Sequence, residues 1–262
     1  MFAVFISVAY LWFKLPVNQP SFAAILPSVV LGLLLVFRTN TAYERFWEGR
    51  KLWSILASQS LNVSRQIWAG AAEVEPEERA KRASILQLII AFTFASKLAL
   101  RLEPVNGELE ELMPSSQYFH HLKTSSNPQL QIILWIGDYL RHQLDQKQIQ
   151  APEIIPLQVS INLLVDSLEG CQRIADTPIP LAGAVHLMQL LLLFCLLLPF
   201  QLVGQMGWLT IPIVTLVSFT LFGIEEIGIE IENPFGYDAN DLHLDAICTT
   251  LKRDIEFMLT SF

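Results

Sequence analysis

Four stretches of the chain are apolar almost without interruption: Met1–Phe13, Phe22–Phe37, Leu181–Phe200 and Gly207–Ile224. A helix needs about 20 apolar residues to cross the hydrocarbon of a bilayer, with a range of about 17–25. The last two stretches reach that length outright. Phe22–Phe37 reaches it once its flank is counted, R-T-N-T-A-Y-E-R-F-W-E-G-R-K-L-W at 38–53. Arg and amphipathic aromatics settle at the headgroup level of a membrane, and a soluble core helix seldom ends in such a belt. Met1–Phe13 is short and reads as the back half of a membrane helix whose start lies upstream. It lacks a basic n-region and a small-residue cleavage site before Pro16, so it is a poor signal peptide.

Between the two apolar pairs the pattern changes. Residues 39–178 hold most of the Lys and Arg, which places this stretch on the cytoplasmic side. Helical spacing is clear over Leu52–Trp68, Pro76–Leu102, Pro128–Gln146 and Pro152–Asp176. The last three open near a proline, which the first turn of a helix tolerates. Within them, Ile85–Leu102 is apolar but interrupted by Gln87, Lys97 and Arg101. Its clean run is shorter than a span, so it predicts a buried helix of a soluble part. Glu103–Asn127, richer in Pro, Gly, Ser and His, reads as loop. Near the C-terminus, Leu244, Ile247, Leu251, Ile255 and Met258 recur at helical spacing and predict a helix over Leu242–Leu259. No strand alternation occurs. The fold class is therefore an all-α integral membrane protein, with four transmembrane helices per subunit and a large cytosolic helical region. The divisions are an N-terminal membrane hairpin (1–38), a cytosolic helical region (39–178), a second membrane hairpin (179–228) and a cytosolic tail helix (229–262), forming one structural domain. Both termini face the cytoplasm. Four spans alone make a thin bundle, so a polar path across the membrane requires several copies.

Composition agrees. Of 262 residues, 52% are hydrophobic and 16% charged, against roughly 25% charged in an average globular domain. Mean hydropathy is +0.43. A net charge of −8 gives no nucleic-acid footprint. Cys171, Cys195 and Cys248 are an odd set without C-x-x-C spacing, which argues against a disulfide framework or a structural zinc site. They read as small apolar fillers. No nucleophile–base pair, phosphate loop or zinc-ligand pair is present, so the chain does not read as an enzyme.

Some residues stand out as functional candidates. Phe22, Leu26, Val30 and Leu34 recur every four positions and share one helix face. Such a face packs against lipid or a helix, or it rings a pore that gates by dewetting. P-I-P-L at 178–181 denies the backbone a regular helix start and forces a turn that holds Ile179 in place; a plain membrane-entry loop is the other reading. Six acidic residues fall between Glu225 and Asp241. Carboxylates with turn carbonyls suit a hard cation such as calcium, although the spacing is not an EF-hand. Equally, Asn240 or Asp241 caps the next helix. His186 lies one turn inside the third apolar stretch, where an ionisable side chain is a functional candidate; a neutral His bonded to a neighbouring helix is an equal reading.

F-R-T-N-T-A-Y-E-R-F-W-E-G-R-K-L-W (37–53), T-P-I-P-L (177–181) and E-N-P-F-G-Y-D-A-N-D (232–241) together resemble the bestrophin family, most closely its bacterial and chloroplast-type branch. The motifs occur in family order and the resemblance covers essentially the whole chain. It implies a homopentameric channel that passively conducts chloride and other anions. It implies a hydrophobic neck at Phe22, Leu26 and Val30, with Leu34 one turn on, and a cytoplasmic aperture at Ile179. It also implies a calcium clasp of backbone carbonyls and side chains, matched here by Glu230, Asn233, Asp238 and Asp241. The acidic run that follows N-P-F-G in animal members is broken by Tyr237, Ala239 and Asn240. The cytoplasmic segment that precedes the first span in the family is absent from the chain, which reads as N-terminally short. Calcium is therefore expected to have a weak effect or none, and no other cofactor is expected. Expected partners are further copies of the chain, small anions and lipid. The expected location is the cell membrane, multi-pass, or the thylakoid membrane in a photosynthetic organism. A cation-permeable channel of the same fold and a non-conducting membrane scaffold are the alternatives.

Overall fold

The computed structural model describes residues 1–14, 22–69, 73–146 and 148–260; for residues 22–26 and 151 it describes the backbone alone. The described residues form helices and turns with no strand, as the pattern predicts. They divide into two compact units, Met1–Phe46 with Thr177–Asn233, and Trp47–Asp176 with Pro234–Phe262.

The first unit is built from α1 (Phe2–Leu11), the first half of α2 (Phe22–Trp68), α8 (Leu181–Met206) and α9 (Thr210–Glu232). α1 packs on both α8 and α9, which pack on each other. Phe2 meets Phe200 edge to face at 5.9 Å between ring centres. Leu31 and Leu35 of α2 close against Leu187 and Leu191 of α8, and Phe194, Leu221 and Phe222 surround them. α8 runs past Pro199 and ends where Gly207 takes φ +51°. A side chain with a Cβ rarely adopts that conformation, so the glycine is what lets the chain reverse into α9. Both helices exceed the sequence expectation, α8 ending at Met206 rather than Phe200 and α9 at Glu232 rather than Ile224.

The second unit has α3 (Pro76–Leu100) at its centre. Around it lie the second half of α2, α4 (Gly107–Glu111), α5 (Ser116–Thr124), α6 (Pro128–Asp145), α7 (Ala151–Asp176) and α10 (Leu244–Thr260). Pro76 begins α3 with Glu77 and Glu78 in its first turn, and Lys97 lies in the last, a charge order that suits the helix dipole. From Leu88 to Leu98 every residue is buried, with α6, α7 and α10 packed against α3. α6 gives a single stripe, Ile132, Ile136 and Leu140, and α10 another, Leu244, Cys248, Leu251 and Ile255. Each such side chain contributes roughly 1.5–3 kcal/mol relative to an exposed position.

Two expectations are corrected. Glu103–Asn127 is not plain loop, since it holds α4 and α5. Asn106 caps α4 by accepting from the Leu109 N–H at 3.3 Å, so its polar residues serve as helix caps. The apolar stretch at 22–37, its aromatic belt and Leu52–Trp68 are not separate elements but one helix of 47 residues. No Pro or Gly pair interrupts it after Gly32, so nothing in the sequence ends it before Trp68.

Three stretches among the described residues are long and apolar enough to cross a membrane: Pro76–Leu100, Pro152–Asp176 and Leu181–Glu232, which holds α8 and α9. Burial separates them. In the most apolar part of Pro76–Leu100, 78% of residues are buried within the protein, against 17% for Leu181–Glu232. The first finds its apolar surroundings inside the unit, as the interrupted pattern of Ile85–Leu102 predicts. The second presents its apolar surface outward: Leu192, Leu193, Leu196, Leu216 and Phe219 are all exposed.

Candidate functional site: a braced turn and an exposed helix face

α2 presents an exposed apolar row over residues 29–37: Val29, Val30, Leu33, Val36 and Phe37. Val30 belongs to the predicted neck face. Leu34 is half-buried and packs against the Leu31–Leu35–Leu187–Leu191 cluster. The side chains of Phe22 and Leu26 lie outside the described residues. Of the predicted neck, the structure thus gives one exposed position and one that contacts the helix seam.

At the end of this row sit Arg38 and, two turns on, Arg45. The spacing of seven puts both on one face of α2. Glu225 and Glu232 have the same spacing on α9. Arg38 Nε donates to Glu225 Oε1 at 2.9 Å, and its Nη2 donates to Glu232 Oε2 at 3.3 Å. The Arg38 and Glu225 side chains retain only 8% and 4% of their exposure. Arg45 Nε donates to the Glu232 carbonyl at 3.1 Å, and its Nη1 to the Thr177 carbonyl at 2.5 Å. Glu232 Oε1 in turn accepts from the Ile179 N–H at 2.9 Å. The turn that carries the predicted aperture residue is therefore tied to α2 and α9. Ile179 itself is half-buried. Sequence reading missed this network, although the matched i, i+7 pairs of Arg and Glu carried its signal.

The predicted clasp residues lie in different settings. Glu230 is half-buried in the last turn of α9 and Asn233 follows it, exposed. Asp238 and Asp241 belong to the second unit. There, Asp241 Oδ2 accepts from the Asp238 N–H at 2.8 Å, and the Leu242 N–H donates to the Pro234 carbonyl at 2.9 Å. This closes the loop on itself, and the Asp241 carboxylate bonds backward in the chain. Phe235 is fully buried. Its ring lies where a Cβ on Gly49 of α2 would come within 3.0 Å, so the glycine permits that approach. Arg101, at the end of α3, donates through Nε to the Phe235 carbonyl at 3.3 Å and stacks over the Tyr237 ring at 4.0 Å. Tyr237 also bonds Glu103. Among the described residues no group of three His, Cys, Asp or Glu side chains is arranged to hold a metal ion.

Beside this loop a charged cluster joins α3 to α10 and α4. The buried Lys97 donates to Glu108 at 2.7 Å and to Asp245 at 2.9 Å, and Arg101 donates to Asp245 at 2.8 Å. Burial opposes the charge on Lys97, yet its bonds to Glu108 and Asp245 outweigh it and hold the amine above its usual value. Burial likewise opposes ionisation of Asp245, but Lys97 and Arg101 prevail and hold the carboxyl below its usual value. Cys171 and Cys248 are buried free thiols pushed up to about 12 by burial, as inert apolar fillers should be. His186 is exposed on α8.

Comparison with known proteins places these features. A family model described as Bacterial/Fungal Bestrophin protein matches residues 1–257. A voltage-dependent anion channel-forming protein of Nostoc sp. is 54% identical, covering 98% of this chain and 83% of its own. Its namesake in Synechocystis sp. is 48% identical, covering 94% of this chain and 79% of its own. Among solved structures, a bacterial bestrophin homologue from Klebsiella pneumoniae superposes with a TM-score of 0.91 at 28% identity, covering 98% of this chain and 94% of that one. The chain belongs to the bacterial and fungal bestrophin family.

Proposed function

We propose that this protein is a membrane channel that passively conducts anions, chloride among them, through a pore formed by five copies. Two relatives named as anion channel-forming proteins, at 54% and 48% identity, support conduction and its sign. The observation that carries the reading is the exposed apolar row of α2 leading to the polar braced turn at Ile179. An exposed apolar row on a helix flanked by α8 and α9 serves as the neck of a pore when copies are arranged around an axis. Phe22, Leu26 and Val30 are its neck residues in this reading, with Leu34 packed at the seam beside them, and Ile179 narrows its cytoplasmic end. The outward apolar surface of α8 and α9 faces lipid in a multi-pass arrangement, in the cell membrane or, in a photosynthetic cell, the thylakoid. Glu230, Asn233, Asp238 and Asp241 act as a structural polar set, with calcium contributing little.

Purified protein reconstituted into a planar bilayer under a salt gradient tests this. The reversal potential should move toward the anion's equilibrium potential. Movement toward the cation's would replace the reading with a cation-permeable channel, and absence of current would replace it with a scaffold.

A further inference from the structure

The segment Pro178-Ile179-Pro180 has one backbone donor, the N–H of Ile179, because proline has none. That donor is bonded to Glu232 Oε1 at 2.9 Å. The same carboxylate receives Arg38 through its other oxygen at 3.3 Å, and its side chain is 19% exposed. On the other side of Pro178, the Thr177 carbonyl is taken by Arg45, which also binds the Glu232 carbonyl. The chain around Ile179 is stiff already. Both prolines have φ fixed, and a residue before proline is confined to extended conformations. What remains free is the orientation of the whole turn. Two bonds on either side of Pro178 remove that freedom, and both pass through Glu232 or the arginine bound to it. Hydrogen bonds to an ionised acceptor are roughly twice as strong as neutral ones, and Arg38 on the other carboxylate oxygen keeps the acceptor oriented.

We propose that Glu232 is the positioning residue of the Ile179 turn: it fixes where the Ile179 side chain stands and so sets which anions pass. This rests on the channel reading above, with Ile179 as a constriction. Arg38 acts through the Glu232 carboxylate, whereas Arg45 holds Thr177 directly and bonds only the Glu232 backbone carbonyl; none of the three needs to touch the permeating ion.

The test compares Glu232→Gln, Glu232→Ala, Ile179→Ala and the double variant Glu232→Ala with Ile179→Ala, each reconstituted in planar bilayers. The readouts are the permeability ratio of a large anion to chloride and the melting temperature in detergent. Gln keeps an oxygen for the Ile179 N–H but offers Arg38 no charge. It should keep the ratio of the unaltered protein while melting lower. Ala removes the acceptor, and the ratio should shift in the same direction as in Ile179→Ala. The double variant should shift no further than Ile179→Ala alone. A ratio unchanged in Glu232→Ala, shifted equally in Gln and Ala, or shifted additively in the double variant would overturn the proposal. A merely structural role would lower melting in both variants and leave the ratio still. If Glu232→Ala does not assemble, Glu232→Asp decides. It keeps the charge but withdraws the oxygen by one methylene, so its ratio should shift, and an unshifted ratio overturns the proposal. The channel reading fails separately, and takes this proposal with it, if the unaltered protein passes no current. The Ile179 assignment fails if Ile179→Ala leaves the ratio unchanged.

Discussion

Single atoms decide two features of this protein. Gly49 stands where a Cβ would lie 3.0 Å from both the Phe235 ring and the Pro234 ring. Both are buried, so a Cβ there must push against packed side chains. Gly49→Ala should destabilise the second unit by about 1–3 kcal/mol, the range for overpacking a core. A melting curve that matches the unaltered protein would show that the Phe235 loop can shift. The second feature is the exposure of Val30 on α2. Apolar rings exclude water when narrow, and smaller side chains wet the path. Leu26→Ala with Val30→Ala should raise single-channel conductance or hold the channel open. Unchanged currents would assign these residues to lipid or to a neighbouring helix.

At the scale of elements, the join between α3 and α10 is electrostatic where it meets water. Lys97, with its value raised, stabilises the fold below the unfolded amine's value of about 10.4 and loses that contribution as pH rises through its folded value. Asp245, with its value lowered, stabilises the fold above about 3.9 and loses that contribution as pH falls. Melting temperature should therefore hold a plateau between those values and fall at both ends. Asp245→Asn should lower the plateau and flatten the acid limb. A pH profile identical to that of the unaltered protein would show that the pairs are too solvated to matter, since the Asp245 side chain is 57% exposed. The loop after α9 supplies a second element-scale prediction. Asp238 donates its N–H to Asp241 within the loop, and high-affinity calcium wants about 6–8 oxygen ligands. Asp238→Ala should lower melting equally with and without calcium. Stabilisation by micromolar calcium that disappears in Asp238→Ala would instead establish a working clasp.

For the whole molecule, the decisive quantity is copy number. In the proposed channel one chain's few membrane helices cannot enclose a conducting path, and the outward apolar surface of α8 and α9 requires lipid or protein against it. Native mass spectrometry in mild detergent should give a pentamer. A protein that runs only as a monomer would remove the pore.

The sequence by itself determined the class and most helices, because apolar runs and helical spacing are local properties that survive without knowledge of partners. It also carried the bestrophin motifs, which are strings of neighbouring residues. It also set Ile85–Leu102 apart as a buried helix, because Gln87, Lys97 and Arg101 interrupt its apolar run, although Pro76–Leu100 and Leu181–Glu232 both have the length and hydropathy of spans; burial divides them as that pattern predicts. It misread Glu103–Asn127 as loop, because a cap such as Asn106 looks like a turn residue until the helix it caps is seen. The neck face remained a pattern of four, of which tertiary packing turns Leu34 toward α8 and leaves Val30 outward. Above all, the brace at Ile179 joins residues 132 and 187 positions apart. Contacts of that range depend on how α2, α8 and α9 meet, and only the tertiary structure brings Arg38, Arg45 and Glu232 to one turn.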